Sequence, residues 1–242
     1  MDLSMAIATQ LLSAAAHLRD LVDTLTFSAP VSHVYNPLTY AWEPHQRYLS
    51  EYGNSTKKTV FLGMNPGPFG MAQTGVPFGE IPAVRDWMKI DAPVGKPDTE
   101  NVKRPIDGFA CTRSEVSGRR LWGLMADRFG SAENFFKDHL VLNYCPLVFM
   151  EASGRNVTPD KILAAERQPL NEACDAHLLE VIRILEPEWC IGIGAYAKQC
   201  FERVVPNHPK IGTILHPSPA SPAANRGWPA RPIEQLEALG VW

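Results

Sequence analysis

The sequence predicts an α/β fold in which a central, mostly parallel four-stranded sheet is flanked by helices. Four short runs rich in Val, Ile, Leu and aromatic residues are each followed by turn residues, which is typical of buried strands: 59–64, 140–144, 189–193 and 211–215. Helical patterns lie between the later runs, and strands that alternate with helices pair in parallel. Because there is no internal repeat and no long linker, we expect one domain, 1–242.

The expected helices are marked by periodicity and by capping residues. Apolar residues at every third or fourth position predict an amphipathic helix within 1–27 that packs on the domain: Leu3, Ile7, Leu11, Ala15, Leu18, Val22 and Leu25. Thr158 and Pro159 predict the start of a helix that breaks near Pro169 and then resumes. The Pro- and Tyr-rich segment 29–49 is predicted to be irregular. Two further helices are predicted for AYAKQCFERVV and RPIEQLEAL.

The composition excludes several classes of protein. The chain is 45% hydrophobic and 20% charged with a net charge of −3, which does not suit a protein that coats nucleic acid non-specifically. No apolar run reaches the ~20 residues of a membrane span, and the N-terminus does not resemble a signal peptide, so we expect a cytoplasmic protein. Basic residues form small groups that are more often solvated surface than binding sites: Lys57 with Lys58, Arg113 with Arg119 and Arg120, and Arg226 with Arg231.

The cysteines give no sign of a metal site. The five are scattered and include no C-x-x-C pair, so we expect buried, reduced thiols, no metal and no cofactor.

The residues at the strand ends define a candidate site. Ligands of such sheets bind just beyond the carboxyl ends of the strands. There the sequence places Asn65 and its Gly/Pro-rich loop, Asn143, the glycine turn Gly192–Gly194, and His216. The first loop also contains two phenylalanines, Phe69 and Phe78. We therefore expect two amides, an imidazole and an aromatic surface to converge on one pocket.

This set of residues is neutral, and no carboxylate has an obvious place in it. Ser218 lies near His216, but no G-x-S-x-G motif supports acyl transfer. An Asn side chain offers both a donor and an acceptor, so it can pair with an adjacent carbonyl and N–H, as on the edge of uracil. A Phe can stack on the face of the same ring. The pattern favours a flat, uncharged heterocycle as ligand.

Several segments together resemble the single-strand-selective monofunctional uracil-DNA glycosylases. GMNPGPFGMAQTGVPFGE is the longest match, and LNYCPLVF, SGRNVTP and HPSPAS…ANRGW follow in the family's order, from residue 61 to about residue 228. The resemblance implies a uracil-DNA glycosylase-like fold and an enzyme of base excision repair. Its substrate would be single- or double-stranded DNA from which it flips uracil, or an oxidised uracil such as 5-hydroxymethyluracil. It would then hydrolyse the N-glycosidic bond and leave an abasic site.

The resemblance also implies roles for four residues. Asn65 resembles the residue that positions the attacking water, and His216 the group that binds the uracil O2. Phe78 resembles the aromatic residue that stacks on the flipped base, and Asn143 the amide that reads the base edge. A hydrogen-bond donor at O2 stabilises the uracil anion as the bond breaks, so strong charge near the ring is unnecessary. A neutral imidazole would suffice as this donor.

Gly67 and Met64 are expected to contact the base through their backbone. Gly67 stands where related uracil glycosylases place a Tyr that blocks the C5 substituent, which implies that oxidised bases also fit. Backbone amides around Met64 and Gly67 are expected to bind water or ring oxygens.

The segment after the histidine, PSPASPAANRGW, resembles the part of the family that fills the gap left by the flipped base. Ala220 stands where relatives have Arg, and we expect Arg226 to be the first candidate for phosphate contact. No nucleophilic lysine lies at a strand end, so a strand-cutting step is not expected. The candidate DNA-binding residues are Ser218, Pro219, Ala220, Pro222, Asn225 and Arg226.

Two other functions remain as alternatives. WCIGIGAYAKQ contains a partial dinucleotide fingerprint, which would suit a nucleotide-binding enzyme, but it lacks the third glycine and the acidic residue of the full motif. Its helix start is also a candidate site for a DNA phosphate. The second alternative is a catalytically silent protein that binds damaged DNA, although the intact Asn65 and His216 argue against it. With no long hydrophobic seam left over, we expect a monomer.

Overall fold

Short strands alternate with helices along the whole of the chain that the computed structural model describes, residues 3–242. Its helices are α1 (Leu3–Asp23), α2 (Pro37–Tyr40), α3 (Trp42–Tyr52), α4 (Met71–Thr74), α5 (Val116–Phe129), α6 (Ala132–Asp138), α7 (Ala164–Leu185), α8 (Ala195–Val204), α9 (Pro222–Gly227) and α10 (Ala230–Leu239). Its strands are β1 (His33–Tyr35), β2 (Thr59–Gly63), β3 (His139–Asn143), β4 (Val148–Met150), β5 (Asn156–Val157), β6 (Trp189–Ile193) and β7 (Ile211–Ile214).

The main sheet has four parallel strands in the order β3-β2-β6-β7, which confirms the predicted α/β fold. Each predicted strand matches an observed one to within a residue at either end. Gly63 at the end of β2 lies opposite Asn143 at the end of β3, and Leu62 lies opposite Gly192 of β6. The carboxyl ends of the strands therefore meet at one edge of the sheet, where the predicted site residues follow.

The segment 29–49 is not irregular, as the sequence suggested. It contains β1, α2 and most of α3, and β1 pairs with β4 in a small antiparallel sheet that β5 completes. Asn36 caps α2 by accepting a hydrogen bond from the backbone N–H of Leu38 at 3.1 Å, and Pro37 occupies the first helical position. Proline is compatible with the first turn of a helix, so the proline content did not exclude helices here.

The predicted break at Pro169 is also absent. Thr158 is the N-cap of a short 3₁₀ helix, Pro159–Lys161, with Pro159 at its start as predicted, and a separate helix, α7, begins at Ala164 and continues through Pro169 to Leu185. Pro169 is exposed and lies near the start of the helix, where the carbonyl that loses its N–H partner remains accessible to water.

The apolar stripe predicted for the N-terminal helix lies on α1, which packs against α3 and α7. The side chain of Leu3 lies outside the described residues, and Leu25 follows the end of the helix and is half-buried. The stripe residues buried in the core are Ile7, Leu11, Ala15, Leu18 and Val22. This packing covers the N-terminal helix on its apolar side.

The cysteines are free thiols. Cys145, Cys174, Cys190 and Cys200 are buried as predicted, whereas Cys111 is partly exposed.

Within residues 3–242, every helix is too short or too polar to cross a membrane.

Candidate active site

A pocket of about 380 Å³ lies at the carboxyl ends of the main strands. It brings together the predicted base-binding and catalytic residues, which reach it from the loops after β2 and β7 and from the end of β3. The predicted residues that line it are Met64, Asn65, Gly67, Phe78, Asn143, His216, Ser218 and Pro219. The strand-end rule therefore located one site from residues far apart in the sequence.

Asn65 has a fixed amide orientation. Its Nδ2 donates a hydrogen bond to the backbone carbonyl of Leu147 at 3.1 Å, and a longer one to the carbonyl of Pro66 at 3.5 Å. Asn65 lines the pocket, and its Oδ1 accepts no hydrogen bond from the described residues. An amide oxygen left free in this way can accept a hydrogen bond from a water molecule.

The segment that follows β3 aligns the Asn65 loop. Beyond the strand ends, the backbone N–H of Tyr144 donates to the carbonyl of Gly63, and that of Cys145 donates to the carbonyl of Met64, each at 2.9 Å. The Met64 carbonyl is therefore already paired. These two bonds extend the sheet pairing to the position of Asn65.

Asn143 is poorly satisfied by the protein itself. Its Nδ2 contacts only the sulfur of Met71, at 3.3 Å, and thioether sulfur is a weak acceptor. Its Oδ1 is buried and has no hydrogen-bond partner among the described residues. A Cβ at Gly63 would lie 2.5 Å from both this oxygen and the ring of Phe78, so glycine allows the amide and the ring to converge. Buried polar atoms are normally paired, and an unpaired amide in a pocket indicates a ligand.

Phe78 has a strained backbone, with φ of +53°. This left-handed conformation is rare for a bulky residue and persists where the surrounding structure fixes it. Trp122 donates from Nε1 to the Pro77 carbonyl at 3.3 Å, and Thr74 donates from Oγ1 to the Gly79 carbonyl at 2.9 Å. The Phe78 ring lies 6.0 Å from the His216 ring, centroid to centroid. The aromatic surface and the imidazole therefore border the same space.

His216 has a defined tautomer. Its Nδ1 accepts a hydrogen bond from the backbone N–H of Ser218 at 3.1 Å, so the proton of the neutral ring is on Nε2. Burial lowers the pKa of His216 to about 4, because desolvation disfavours the charged form. At neutral pH the side chain is therefore an uncharged donor through Nε2.

One pocket residue contradicts the prediction that no carboxylate has a place in the site. Glu115, at the start of α5, lines the pocket beside Gly67 and Gly70. Burial raises the pKa of Glu115, and the nearby backbone N–H groups of Phe69 and Ser117 oppose that shift. Glu115 is far from every strand end in the sequence, so the strand-end rule had no means of finding it.

Asn156 and Thr158, around the end of β5, also line the pocket. They belong to the SGRNVTP segment, which the resemblance included but to which no role in the site was assigned. Their place in that segment was the one sequence feature that could have pointed to them as site residues.

The post-histidine loop, residues 217–221, begins at the buried Pro217, is exposed at Pro219 and Ala220, and leads into α9. Within it, Ser218 Oγ accepts a hydrogen bond from the Ala220 backbone N–H at 3.1 Å. Arg120 donates to the carbonyl of Pro217 at 3.0 Å and to Asn225 Oδ1 at 2.9 Å. The remaining predicted DNA-binding residues do not line the pocket but lie exposed next to it: Ala220, Pro222, Asn225 and Arg226.

Two of these residues differ in their availability for DNA. The Asn225 side chain is used within the protein, since its Nδ2 also donates to the Pro219 carbonyl at 2.9 Å. Arg226 is exposed and forms no hydrogen bond or ion pair with the described residues. Arg226 is therefore the freer of the two to contact a phosphate.

The basic groups are not all solvated surface. Lys57 is only 3% exposed and donates to the carbonyl of Phe136, so it belongs to the core. Arg104 and Arg113 lie over the ring of Phe69, 5.3 Å and 4.5 Å from its centroid. These two arginines form a cationic edge next to the loop of Asn65.

The glycine turn at the end of β6 packs against the site. Gly194 has φ of +92° and packs against His216, since a Cβ there would lie 3.2 Å from the His216 Cβ.

In residues 3–242, no group of three or more His, Cys, Asp and Glu side chains is arranged to bind a metal ion.

Comparisons with known proteins agree with this geometry. The family model of the uracil DNA glycosylase superfamily matches residues 50–236. A single-strand selective monofunctional uracil DNA glycosylase from Bos taurus is 44% identical over 98% of this chain and 88% of its own length. The corresponding protein from Mus musculus is 46% identical over 90% of this chain and 79% of its own length.

A solved structure supports the fold. The crystal structure of wild-type Pedobacter heparinus SMUG2 matches with a TM-score of 0.63 at 17% identity, covering 94% of this chain and 96% of that chain. Because the family model spans most of the chain and the curated relatives cover nearly all of it, the chain belongs to the single-strand selective monofunctional group of the uracil DNA glycosylase superfamily.

Proposed function

We propose that this protein is a monofunctional DNA glycosylase that excises uracil from single- and double-stranded DNA and leaves an abasic site. We further propose that it accepts oxidised uracils such as 5-hydroxymethyluracil. The proposal is supported by the names of the curated relatives, by their identity of 44–46%, and by a pocket whose polar groups suit an uncharged base. It acts as a monomer in this proposal.

Base binding depends on Phe78 and Asn143. The flipped ring stacks on Phe78, and the Asn143 amide pairs with the N3–H and O4 of uracil, through Oδ1 and Nδ2 respectively. Both amide atoms lack a strong partner in the protein, so uracil satisfies them without breaking an existing strong hydrogen bond. Flipping costs a few kcal/mol and is easiest from single-stranded DNA.

The observation that best supports catalysis is the hydrogen bond from the Ser218 N–H to Nδ1 of His216. It places the proton on Nε2, where a neutral imidazole can donate to the uracil O2. As the bond between C1′ and N1 breaks, the base becomes an anion and the sugar becomes cation-like. A preorganised donor at the developing anion is typically worth ~10²–10³ in rate.

Asn65 then positions the water that captures the sugar cation. Its Oδ1 accepts from the water, while Nδ2 remains bound to the Leu147 carbonyl. An amide is a weak base, but little basicity is needed once the cation has largely formed. No lysine is found among the residues that line the pocket, which supports a monofunctional reaction.

The first test uses a labelled single-stranded oligonucleotide that contains one uracil, incubated with the protein in EDTA. Half of each sample is treated with hot alkali, which cleaves abasic sites. We expect cleavage only after alkali, and a loss of ~10² or more in rate for Asn65→Ala. Asn207→Ala, at an exposed turn, is the matched control and should retain the wild-type rate. Binding without base release would instead identify a silent damage-binding protein.

A further inference from the structure

Glu115 fills the space that a side chain at position 67 would occupy. A Cβ at Gly67 would lie 2.5 Å from Oε2 of Glu115, and a Cβ at Gly70 would lie 2.9 Å from its Cγ. The two glycines let the loop after β2 pack directly on this carboxyl group. The pocket wall at Gly67 is therefore polar rather than open.

The backbone lies close to the carboxyl group. Burial raises the pKa of this group, and the N–H groups of Phe69 and Ser117, which belong to segments that border the pocket, are near enough to oppose that shift. Glu80, which accepts a hydrogen bond from Ser114 at 2.6 Å, is a nearby carboxylate. A carboxyl group near two backbone donors still has acceptor positions available on its oxygens.

The other walls of the pocket determine which edge of the base faces Glu115. With the ring on Phe78, O2 at His216 and the N3–O4 edge at Asn143, the edge that remains includes C5. In the pyrimidine ring C5 lies opposite C2, so this edge points away from His216. Gly67 and Glu115 are among the lining residues that none of these contacts uses, and the carboxyl oxygens of Glu115 lie directly at Gly67.

We infer that Glu115 is a specificity-determining residue that faces the C5 position of the bound base. Its carboxyl group accepts a hydrogen bond from a donor on the C5 substituent, such as the hydroxyl of 5-hydroxymethyluracil. A 5-methyl group, as in thymine, removes solvent from the carboxyl group without replacing it by a hydrogen bond. This inference rests on the proposed function, because it specifies which bases the same pocket accepts.

The expected discrimination is substantial. Sites built to hydrogen-bond a substrate hydroxyl can reject the analogue that lacks it by up to ~10⁴–10⁵, because their polar groups are left unpaired. Glu115 keeps two backbone donors near it in every complex, so we expect a smaller effect, ~10-fold or more. The same reasoning predicts that an apolar residue at this position favours the methyl group.

The test compares the ratios of excision rates for three bases in one single-stranded sequence. Uracil, 5-hydroxymethyluracil and thymine are measured under single-turnover conditions for the wild-type protein, Glu115→Leu and Glu115→Gln. For Glu115→Leu we expect the ratio of 5-hydroxymethyluracil to uracil to fall ~10-fold or more, and the ratio of thymine to uracil to rise. For Glu115→Gln, which keeps an acceptor for the backbone donors, we expect a fall of ~3-fold as a charge-assisted hydrogen bond is lost.

The outcomes separate this inference from the proposed function. If the wild-type protein releases no uracil, the proposed function is wrong. If it releases uracil and the ratios of both variants stay within twofold of the wild-type ratios, the role of Glu115 is wrong and the function stands. If Glu115→Leu does not fold, the ratio for Glu115→Gln alone decides. Glu180→Gln, on the exposed side of α7, is the control and should leave all ratios unchanged.

Discussion

The side chain of Asn65 donates a hydrogen bond to the backbone carbonyl of Leu147 at 3.1 Å. Leu147 is the last residue of the short segment 144–147, which leads from Asn143 at the end of β3 to the start of β4. β3 therefore holds Asn143 directly, and the segment after it holds Asn65 through the Leu147 carbonyl. The LNYCPL and GMNPG motifs are therefore joined by hydrogen bonds beside the pocket.

The rate of uracil excision should be independent of pH between about 5 and 9. Burial lowers the pKa of His216 to about 4, so the imidazole is neutral throughout that range. Below it, protonation puts a hydrogen on Nδ1, which can no longer accept from the Ser218 N–H, and the rate should fall. Single-turnover rates at each pH, with circular dichroism to confirm folding, provide the measurement.

His216→Ala is the companion variant for this profile. It should be ~10²–10³ slower than the wild-type protein at pH 7.5, because the donor at O2 is lost. A wild-type rate that falls as the pH rises, with a midpoint between pH 6 and 7 that disappears in His216→Ala, would show that the charged imidazole is the active form instead.

Asn143→Asp should lower uracil excision by at least ~10²-fold. The carboxylate has no donor for O4, and its negative charge opposes the anion that forms on the base. The readout is the single-turnover rate at pH 8, with the melting temperature as a check on folding. Asn207→Asp makes the same substitution at an exposed turn and should retain activity. Comparable rates for the two variants would remove Asn143 from base recognition.

The main sheet could be predicted because its strands are buried on both faces and appear as continuous apolar runs. β5, in contrast, has only two residues, Asn156–Val157, which is too short to show any alternation. β1 also escaped prediction because the prolines around it suggested a loop. Sequence patterns therefore revealed the sheet that forms the site and not the small antiparallel sheet beside it.

The site was predictable to the extent that its residues follow strands. Asn65, Asn143 and His216 do so, and the structure places all three on one pocket. Glu115 reaches that pocket only through the packing of α5 against Gly67 and Gly70. Lys57 likewise contacts the core rather than solvent. Such contacts depend on how elements pack in three dimensions, which a single sequence pattern does not encode.

Acid should destabilise the protein between pH 6.5 and 4. His45 and His139 are each 5% exposed, and burial lowers the pKa of both to about 4. The unfolded chain, with a pKa near 6.5, therefore binds protons first as the pH falls. Their contribution to stability is complete above pH 6.5 and is lost progressively down to pH 4. From urea unfolding, we expect a decrease of on the order of 2–4 kcal/mol between pH 7.5 and pH 5.

His139→Phe tests the origin of that slope. His139 packs beside the rings of Phe129 and Phe135, each 5.2 Å away between centroids, so a Phe suits the site. The variant should lose the His139 share of the decrease, on the order of 1–2 kcal/mol, whereas His17→Gln, at an exposed position on α1, should behave as wild type. An unchanged slope in His139→Phe would assign the acid sensitivity to other groups.

Arg120→Ala should weaken DNA binding by ~10-fold, because it frees the post-histidine loop. Arg120 donates to the Pro217 and Ser218 carbonyls and to Asn225, so its removal leaves these acceptors without their donor. Arg119→Ala removes the same charge from the adjacent, exposed residue. The guanidinium of Arg119 donates one hydrogen bond within the described residues, to Ser114 Oγ at 3.3 Å. Fluorescence anisotropy on an uncleavable oligonucleotide measures affinity, and hydrogen exchange of residues 217–226 measures loop order. We expect faster exchange and the larger loss of affinity only in Arg120→Ala, whereas equal losses in both variants would show that Arg120 acts through its charge alone.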